Sequence, residues 1–369
     1  MKSHSDPGRH VVLALSGREM TLHEAKLLRR HAPAGVILFS RNLGALEETA
    51  ALIRSLVAAC DPPPTVWIDQ EGGRVQRLRD PLTRYPSALR YAEAEARLGR
   101  EEAAELARLA GWLCGRELAA LGLGVDCAPV LDLREEGANP VIGERAFGDH
   151  PEQVIRLAGA WLAGLTSAGV LGMGKHFPGH GAARADSHHA LPVVEKSREA
   201  LLAWELLPFR ALLDRLPAMM TAHLVATGVD AEQPATWSAP WLRELLRGAW
   251  GYQGLIVSDA VEMGALSGSI AQRTEKALIA GCDLILCCTG KPEDNEAALD
   301  GAALALETMD PAWVAASAAR IERILAPHRL TPGDWRGLLE EPAYREARRR
   351  VEGLREAHVA RDPTEASSG

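Results

Sequence analysis

The sequence predicts an α/β protein: a single (β/α)8 barrel with a short helical C-terminal tail. Three observations carry that prediction. Eight short apolar runs alternate with longer segments of helical spacing between Val11 and about Leu325. Most runs are bounded by Gly, Pro or Asp, as buried parallel strands are. Polar residues follow five of the runs, at the barrel end where (β/α)8 proteins keep their chemistry. An open doubly wound sheet is the rival, and the count of eight favours the barrel.

The runs cover residues 11–15, 35–39, 65–68, 125–130, 171–174, 218–221, 255–257 and 283–287. Asp69 ends the third, Asp132 follows the fourth, and Lys175-His176 follow the fifth. His223 follows the sixth and Asp259 the seventh. Between the fourth and fifth runs, Val154, Leu157, Trp161, Leu162 and Leu165 form an apolar stripe. Asp149-His150-Pro151 opens that helix and Gly169 stops it. Leu201, Leu202, Leu206, Phe209, Leu212 and Leu213 predict another continuous helix. The barrel is assigned to residues 1–330 and a C-terminal extension to 331–369. Within the extension, residues 344–359 are charged and helix-prone, and 362–369 are expected to be disordered.

Composition narrows the function classes. The chain has 369 residues, 47% hydrophobic and 24% charged, which is ordinary for a globular enzyme. Net charge is 41 − 49 = −8, which argues against nucleic acid or an anionic membrane as partner. Arg348-Arg349-Arg350 lies among glutamates and reads as a solvated helix face. No apolar run has the roughly 18 residues needed to span a bilayer, and the first ten residues are polar, unlike a signal peptide. The six cysteines lack metal-ligand spacing and read as buried thiols in a reducing compartment. A cytoplasmic monomer is expected. Gly122-Leu-Gly124 and Gly172-Met-Gly174 lack a phosphate-binding context, so a dinucleotide site is rejected.

The densest chemistry is Lys175-His176-Phe177-Pro178-Gly179-His180-Gly181, followed by Asp186-Ser187-His188. Lys175, His176, His180 and an Asp-x-His pair fall within 14 residues. Asp186 two residues before His188 suits an imidazole held in one tautomer, as a general acid and base requires. Adjacent His189 reads as a surface histidine. Residues 179–185 are rich in Gly and Ala and suit a flap over a ligand. Asp69-Gln-Glu-Gly-Gly-Arg-Val-Gln-Arg77 packs two carboxylates and two arginines around a Gly-Gly turn. Such groups suit a polyhydroxylated ligand, or else an ion-paired loop. Asp259 closes an apolar strand and reads as a nucleophile or as a structural helix cap. His176, His180, His188 and His223 fit neither HExxH nor a Cys/His zinc module, so no metal is assigned.

With these motifs in order, the chain resembles family 3 glycoside hydrolases, and within them the NagZ-type β-N-acetylglucosaminidases. Further stretches carry the likeness: Gly35-Val-Ile-Leu-Phe-Ser-Arg-Asn42, Asn139-Pro-Val-Ile-Gly-Glu-Arg-Ala-Phe-Gly148 and Val257-Ser-Asp259. The resemblance implies a retaining, two-step hydrolase without a cofactor. Asp259 would be the nucleophile and His188, oriented by Asp186, the acid/base. Asp69, Arg77, Arg145, Lys175 and His176 would hold the N-acetylglucosamine ring. The implied substrate is a small carbohydrate, terminal GlcNAc on anhydromuropeptide fragments of cell-wall recycling. Ala260 departs from the second Asp of many relatives, and Ala182-Ala183-Arg184 is variable territory.

Two other readings stand beside this one. A histidine acid is neutral once it has given up its proton, so it repels an incoming phosphate less than a carboxylate would. That suits a phosphorylase releasing a sugar 1-phosphate. A sugar-binding barrel without catalysis would need a missing nucleophile or acid/base, and Asp259, Asp186 and His188 are all present.

Overall fold

The structure, a computed structural model, describes residues 6–135, 141–181 and 191–359. The predicted barrel is present. Its strands are β1 (Val11–Ala14), β2 (Gly35–Leu38), β3 (Thr65–Ile68), β4 (Val125–Asp126), β5 (Leu171–Phe177), β6 (Ala218–Thr221), β7 (Leu255–Ala260) and β8 (Leu284–Cys287). Each lies beside its neighbour in sequence, and β8 closes parallel onto β1 with Val11 opposite Ile285.

Alternation along the strands separates two cores. Val12, Ile37, Trp67, Val125, Met173, Met220, Val257 and Leu286 belong to one cluster, the barrel interior. Val11, Val36, Val66, Met219 on β6, Ile256 and Ile285 meet the surrounding helices in the other. Trp67 is the largest interior side chain, and its ring needs Gly35 beside it. A Cβ there would sit 2.3 Å from the Trp67 Nε1.

Three details differ from the expectation. The fourth strand spans two residues, and beyond it the Ala128 and Pro129 carbonyls still accept the Met173 and Lys175 N–H groups at 2.7 and 3.2 Å, with a bridge between Val130 and Lys175. The fifth runs three residues further, so Lys175 and His176 lie within the strand. The helix expected over 201–213 is broken into Arg198–Ala203 and Leu207–Ala211, with extended φ at Trp204 and Pro208 in the first turn of the second piece. Proline has no N–H for a helix interior, so a helix restarts there rather than passing through. The stripe-bearing helix Pro151–Ser167 forms as expected, with proline in its first turn and Gly169 beyond its end at φ +86°.

Helix Pro311–Leu325 plugs the end where the strands begin. Ile321, Ile324 and Leu325 enter the interior cluster. Its Ser317 Oγ donates to Asp283 Oδ1 at 2.7 Å and Arg320 pairs with the same carboxylate. Helices Trp335–Glu340 and Pro342–Val359 follow. Tyr344 anchors the second, donating its hydroxyl to buried Glu117 at 2.7 Å. Glu117 also accepts from the Thr83 N–H and the Tyr85 hydroxyl, each at 2.8 Å. Burial raises the Glu117 carboxyl despite these bonds. Arg349 and Arg350 make exposed pairs with Glu346 and Glu102, as a solvated face would. Residues 362–369 lie outside the described residues, and no helix among those described is long and apolar enough to cross a membrane.

Candidate active site

Strand parity aims the site. On β3 Trp67 points inward, so Asp69 is the next inward position. On β5 Met173 points inward and Lys175 follows it; on β7 Val257 is followed by Asp259. The same step places Phe39 after Ile37 and Cys288 after Leu286. Together with Arg77, Arg145 and His176 these residues line a cavity of about 470 Å³ at the C-terminal end of the barrel. That volume suits a small ligand rather than a polymer.

One wall is a network of buried charge. Lys175 Nζ lies 3.0 Å from Asp69 Oδ1 and 2.6 Å from Glu71 Oε1. Arg145 grips Glu71 with two parallel N–H donations, each 2.8 Å. Arg77 Nη2 reaches Asp69 at 3.5 Å. Burial works against charging Glu71, but Lys175 and Arg145 overcome it and hold its carboxyl well below the usual range. Burial likewise opposes charge on Lys175, and Glu71 and Asp69 reverse it, so the ammonium is held on more firmly than usual. The network presents fixed cations and carboxylate oxygens to the cavity, where burial of Lys175 and Glu71 strengthens each pairing.

His176 turns on a second carboxylate. Its Nδ1 lies 2.6 Å from Asp132 Oδ2, and Asp132 Oδ1 accepts the backbone N–H groups of His176 and His180 at 3.1 and 2.7 Å. Burial would raise Asp132, and His176 and these bonds outweigh it. A carboxylate bound this way fixes the ring with Nδ1 protonated.

Asp259 accepts the Ala260 N–H at 2.8 Å. Burial again works to raise its carboxyl. The rings of His176 and His223, the Ala260 N–H and Lys175 outweigh burial, so the group is held below the usual carboxylate range. It is therefore ionised at neutral pH, as a nucleophile must be. His223 Nε2 lies 2.9 Å from the Ala260 carbonyl, which only an N–H can bond, and so braces the strand end. Burial lowers the His223 imidazole. Ala260 itself borders the cavity.

Below this layer Asp126 accepts the Gln70 N–H at 2.9 Å and the Cys114 thiol at 3.4 Å. Burial pushes its carboxyl up to about 7, although Gln70 and Lys175 pull the other way.

The structure thus brings together Asp259, Asp69, Arg77, Arg145, Lys175 and His176 around one cavity. Asp186 and His188, with His189 and the 182–185 part of the glycine-rich loop, lie outside the described residues. Glu71 and Asp132 were visible in sequence but not assigned to the site. Glu71 shares the face of Asp69 two residues on, and that parity was the available signal. Glu262, also lining the cavity, gave no signal, because its approach depends on the turn after β7. There both its carboxylate oxygens accept the Cys288 N–H.

Comparison with known proteins agrees with this arrangement. The profile of the glycosyl hydrolase family 3 N-terminal domain matches residues 10–324, the whole barrel. A protein of Alkalilimnicola ehrlichii named beta-hexosaminidase is 41% identical, covering 93% of this chain and 95% of its own length. NagZ of Neisseria gonorrhoeae, solved with N-trifluoroacetyl-D-glucosamine, superposes with TM-score 0.83 at 33% identity, over 94% of this chain and 98% of that one. A family 3 β-N-acetylglucosaminidase of Paenibacillus sp. gives TM-score 0.83 at 36% identity over 89% of this chain, which spans 63% of that longer protein. The barrel, its inward-facing charges and a profile match from before the first strand to the last barrel helix agree: this chain belongs to glycosyl hydrolase family 3.

Proposed function

We propose that the protein is a retaining exo-β-N-acetylglucosaminidase, a β-N-acetylhexosaminidase that removes terminal β-linked GlcNAc. The observation that carries this is Asp259, next to the last residue of β7, its carboxyl held below the usual range, facing the same cavity as the Asp69–Lys175–Glu71–Arg145 network. That network suits the hydroxyl and acetamido oxygens of one sugar ring. The names of the relatives and the N-acylated glucosamine in the Neisseria structure support the same glycon.

In the first step an Asp259 oxygen attacks the anomeric carbon as the bond to the leaving oxygen breaks. His188, oriented by Asp186, gives that oxygen its proton. In the second, neutral His188 takes a proton from water, the water oxygen bonds the anomeric carbon, and Asp259 leaves as carboxylate. GlcNAc on anhydromuropeptide fragments of a cytoplasmic recycling route is the natural substrate in this reading, and no cofactor takes part.

The test is release of a chromogenic aryl group from β-GlcNAc and from the matching β-glucoside in phosphate-free buffer. Release from the GlcNAc compound alone is the expected result. Release from neither sinks the reading, and sugar 1-phosphate appearing only on addition of phosphate would make the enzyme a phosphorylase. Mass spectrometry with a slow fluorinated substrate checks the covalent step. The adduct should sit on Asp259.

A further inference from the structure

The strand that carries Asp259 is irregular at its end. Between β7 and β8, Val257 lies opposite Leu284, yet Ala260 lies opposite Leu286. Three steps on β7 therefore match two on β8, and β7 bulges at Ser258–Asp259. The bulge shows in the cavity. Neighbours on a regular strand point to opposite faces, but Asp259 and Ala260 both border the cavity. Asp259 Oδ1 accepts the Ala260 N–H, and no described residue bonds Oδ2. That oxygen is left for the anomeric carbon.

A bulge disrupts the ladder around it, and here buried side chains hold it. Ser258, fully buried, accepts the Leu286 N–H on its hydroxyl oxygen at 3.1 Å. On the other edge, β6 pairs with β7 only as far as Met220 opposite Val257. Beyond that point His223 takes over, donating its Nε2–H to the Ala260 carbonyl at 2.9 Å. The Val261 N–H donates to the Leu286 carbonyl at 3.0 Å. The peptide joining Ala260 to Val261 is thus held from both neighbouring strands.

His223 is itself set in the tautomer this requires. Burial lowers its imidazole, so the ring is neutral, and with the proton on Nε2 its Nδ1 is an acceptor. Thr236 Oγ1 lies 2.8 Å from Nδ1 and 3.1 Å from the Ala222 carbonyl. A hydroxyl has one proton, and Nδ1 takes it. Thr221 Oγ1, 2.8 Å from Thr236 Oγ1, then donates to Thr236. The chain Thr221–Thr236–His223–Ala260 carbonyl therefore runs in one direction, each bond strengthening the next. Thr221, His223, Thr236 and Ser258 are all fully buried, and none of them lines the cavity.

We propose that Ser258, His223 and Thr236 are positioning residues of the reaction: they hold the β7 bulge, and the bulge aims Asp259 Oδ2 at the sugar. The inference rests on the activity proposed above, in which Asp259 is the nucleophile.

The experiment measures kcat and KM separately on the aryl β-GlcNAc. Ser258→Ala and His223→Leu should each lower kcat by about tenfold to 100-fold, the scale for a reacting group misplaced by about 1 Å, with KM changed by less than about threefold. His223→Gln, whose side-chain N–H can serve the Ala260 carbonyl, should regain most of that loss. Thr236→Val keeps the shape and removes the donor to Nδ1, so kcat should fall by about threefold to tenfold. If His223→Leu does not fold, Ser258→Ala and Thr236→Val decide. A lower melting temperature with kcat unchanged, a rise in KM alone, or His223→Gln no better than His223→Leu overturns the proposal. If the wild-type protein cleaves nothing, the activity reading fails on its own, and crystal structures decide what holds Asp259. In Ser258→Ala, loss of the bulge with Oδ2 turned from the cavity supports the proposal. Ala260 still opposite Leu286, with Asp259 unmoved, overturns it.

Discussion

Two buried ion clusters occupy opposite ends of this barrel, and they are built from the same kinds of groups. At the end where the strands begin, Asp283 takes Arg247 and Arg320, the Ser317 hydroxyl at 2.7 Å and the Ile256 N–H at 2.9 Å. One carboxylate there is filled by four donors, and a helix covers it. At the other end Asp69 and Glu71 share Lys175, Arg145 and Arg77, and the cluster borders a cavity of about 470 Å³. Pairing is therefore not what distinguishes a functional cluster from a structural one. Access is. The closed cluster spends its carboxylate on four protein donors and locks a helix, whereas the open one keeps lone pairs and N–H groups facing a cavity.

The sharpest break between the ends is chemical. Asp259→Ala should lower turnover by about 10⁴-fold, the scale seen when a covalent nucleophile is lost, with an unchanged far-ultraviolet spectrum. Substantial residual turnover would remove Asp259 from the mechanism. Lys175→Met should reduce kcat/KM by about 100-fold through lost positioning. It should also cost about 3 kcal/mol of stability, because Glu71 then keeps only Arg145. Asp283→Asn should cost a similar stability, about 3 kcal/mol, because Arg247 and Arg320 lose their shared anion. Its kcat/KM well below the melting temperature should match wild type, and a large loss there would erase the distinction between the two ends.

Acid sharpens the contrast further. Glu71 has a lowered carboxyl, so its contribution to stability is present at neutral pH, above its unfolded value, and is lost as pH falls through the folded one. Urea melts at decreasing pH should show a smaller loss in Glu71→Gln than in wild type, the remainder coming from Asp132 and Asp259, whose carboxyls are also lowered. The smallest effect concerns Asp126, whose carboxyl is raised to about 7. The folded state holds the extra proton between the ordinary carboxylate range and that value, so stability falls as pH rises across the window. Asp126→Asn should gain stability relative to wild type as pH rises from about 4 to about 8. Equal melting curves at both would mean Asp126 does not titrate in the fold.

The barrel was legible because its runs are short, apolar and punctuated, from residues 11–15 to 283–287, and burial on both faces of a parallel strand leaves that mark on sequence. Asp69, Lys175 and Asp259 were legible for the same reason, since each ends such a run. The broken helix at Trp204 was not, because its apolar spacing continues across Pro208 as though the chain did. Glu262 and the pairing of His176 with Asp132 escaped as well. Each depends on contacts between elements far apart in sequence.

Amino-acid order by itself therefore determined the fold class, the inward positions at the strand ends and the family. Those follow from local periodicity and contiguous motifs. Only the tertiary structure decided which charges share a partner and which ends of the barrel are open. It alone showed that a helix beyond residue 342 meets the loop at Arg84 to line a second, arginine-rich cavity. Electrostatic energy and solvent access depend on distance in three dimensions, which residues hundreds of positions apart acquire only when the barrel closes.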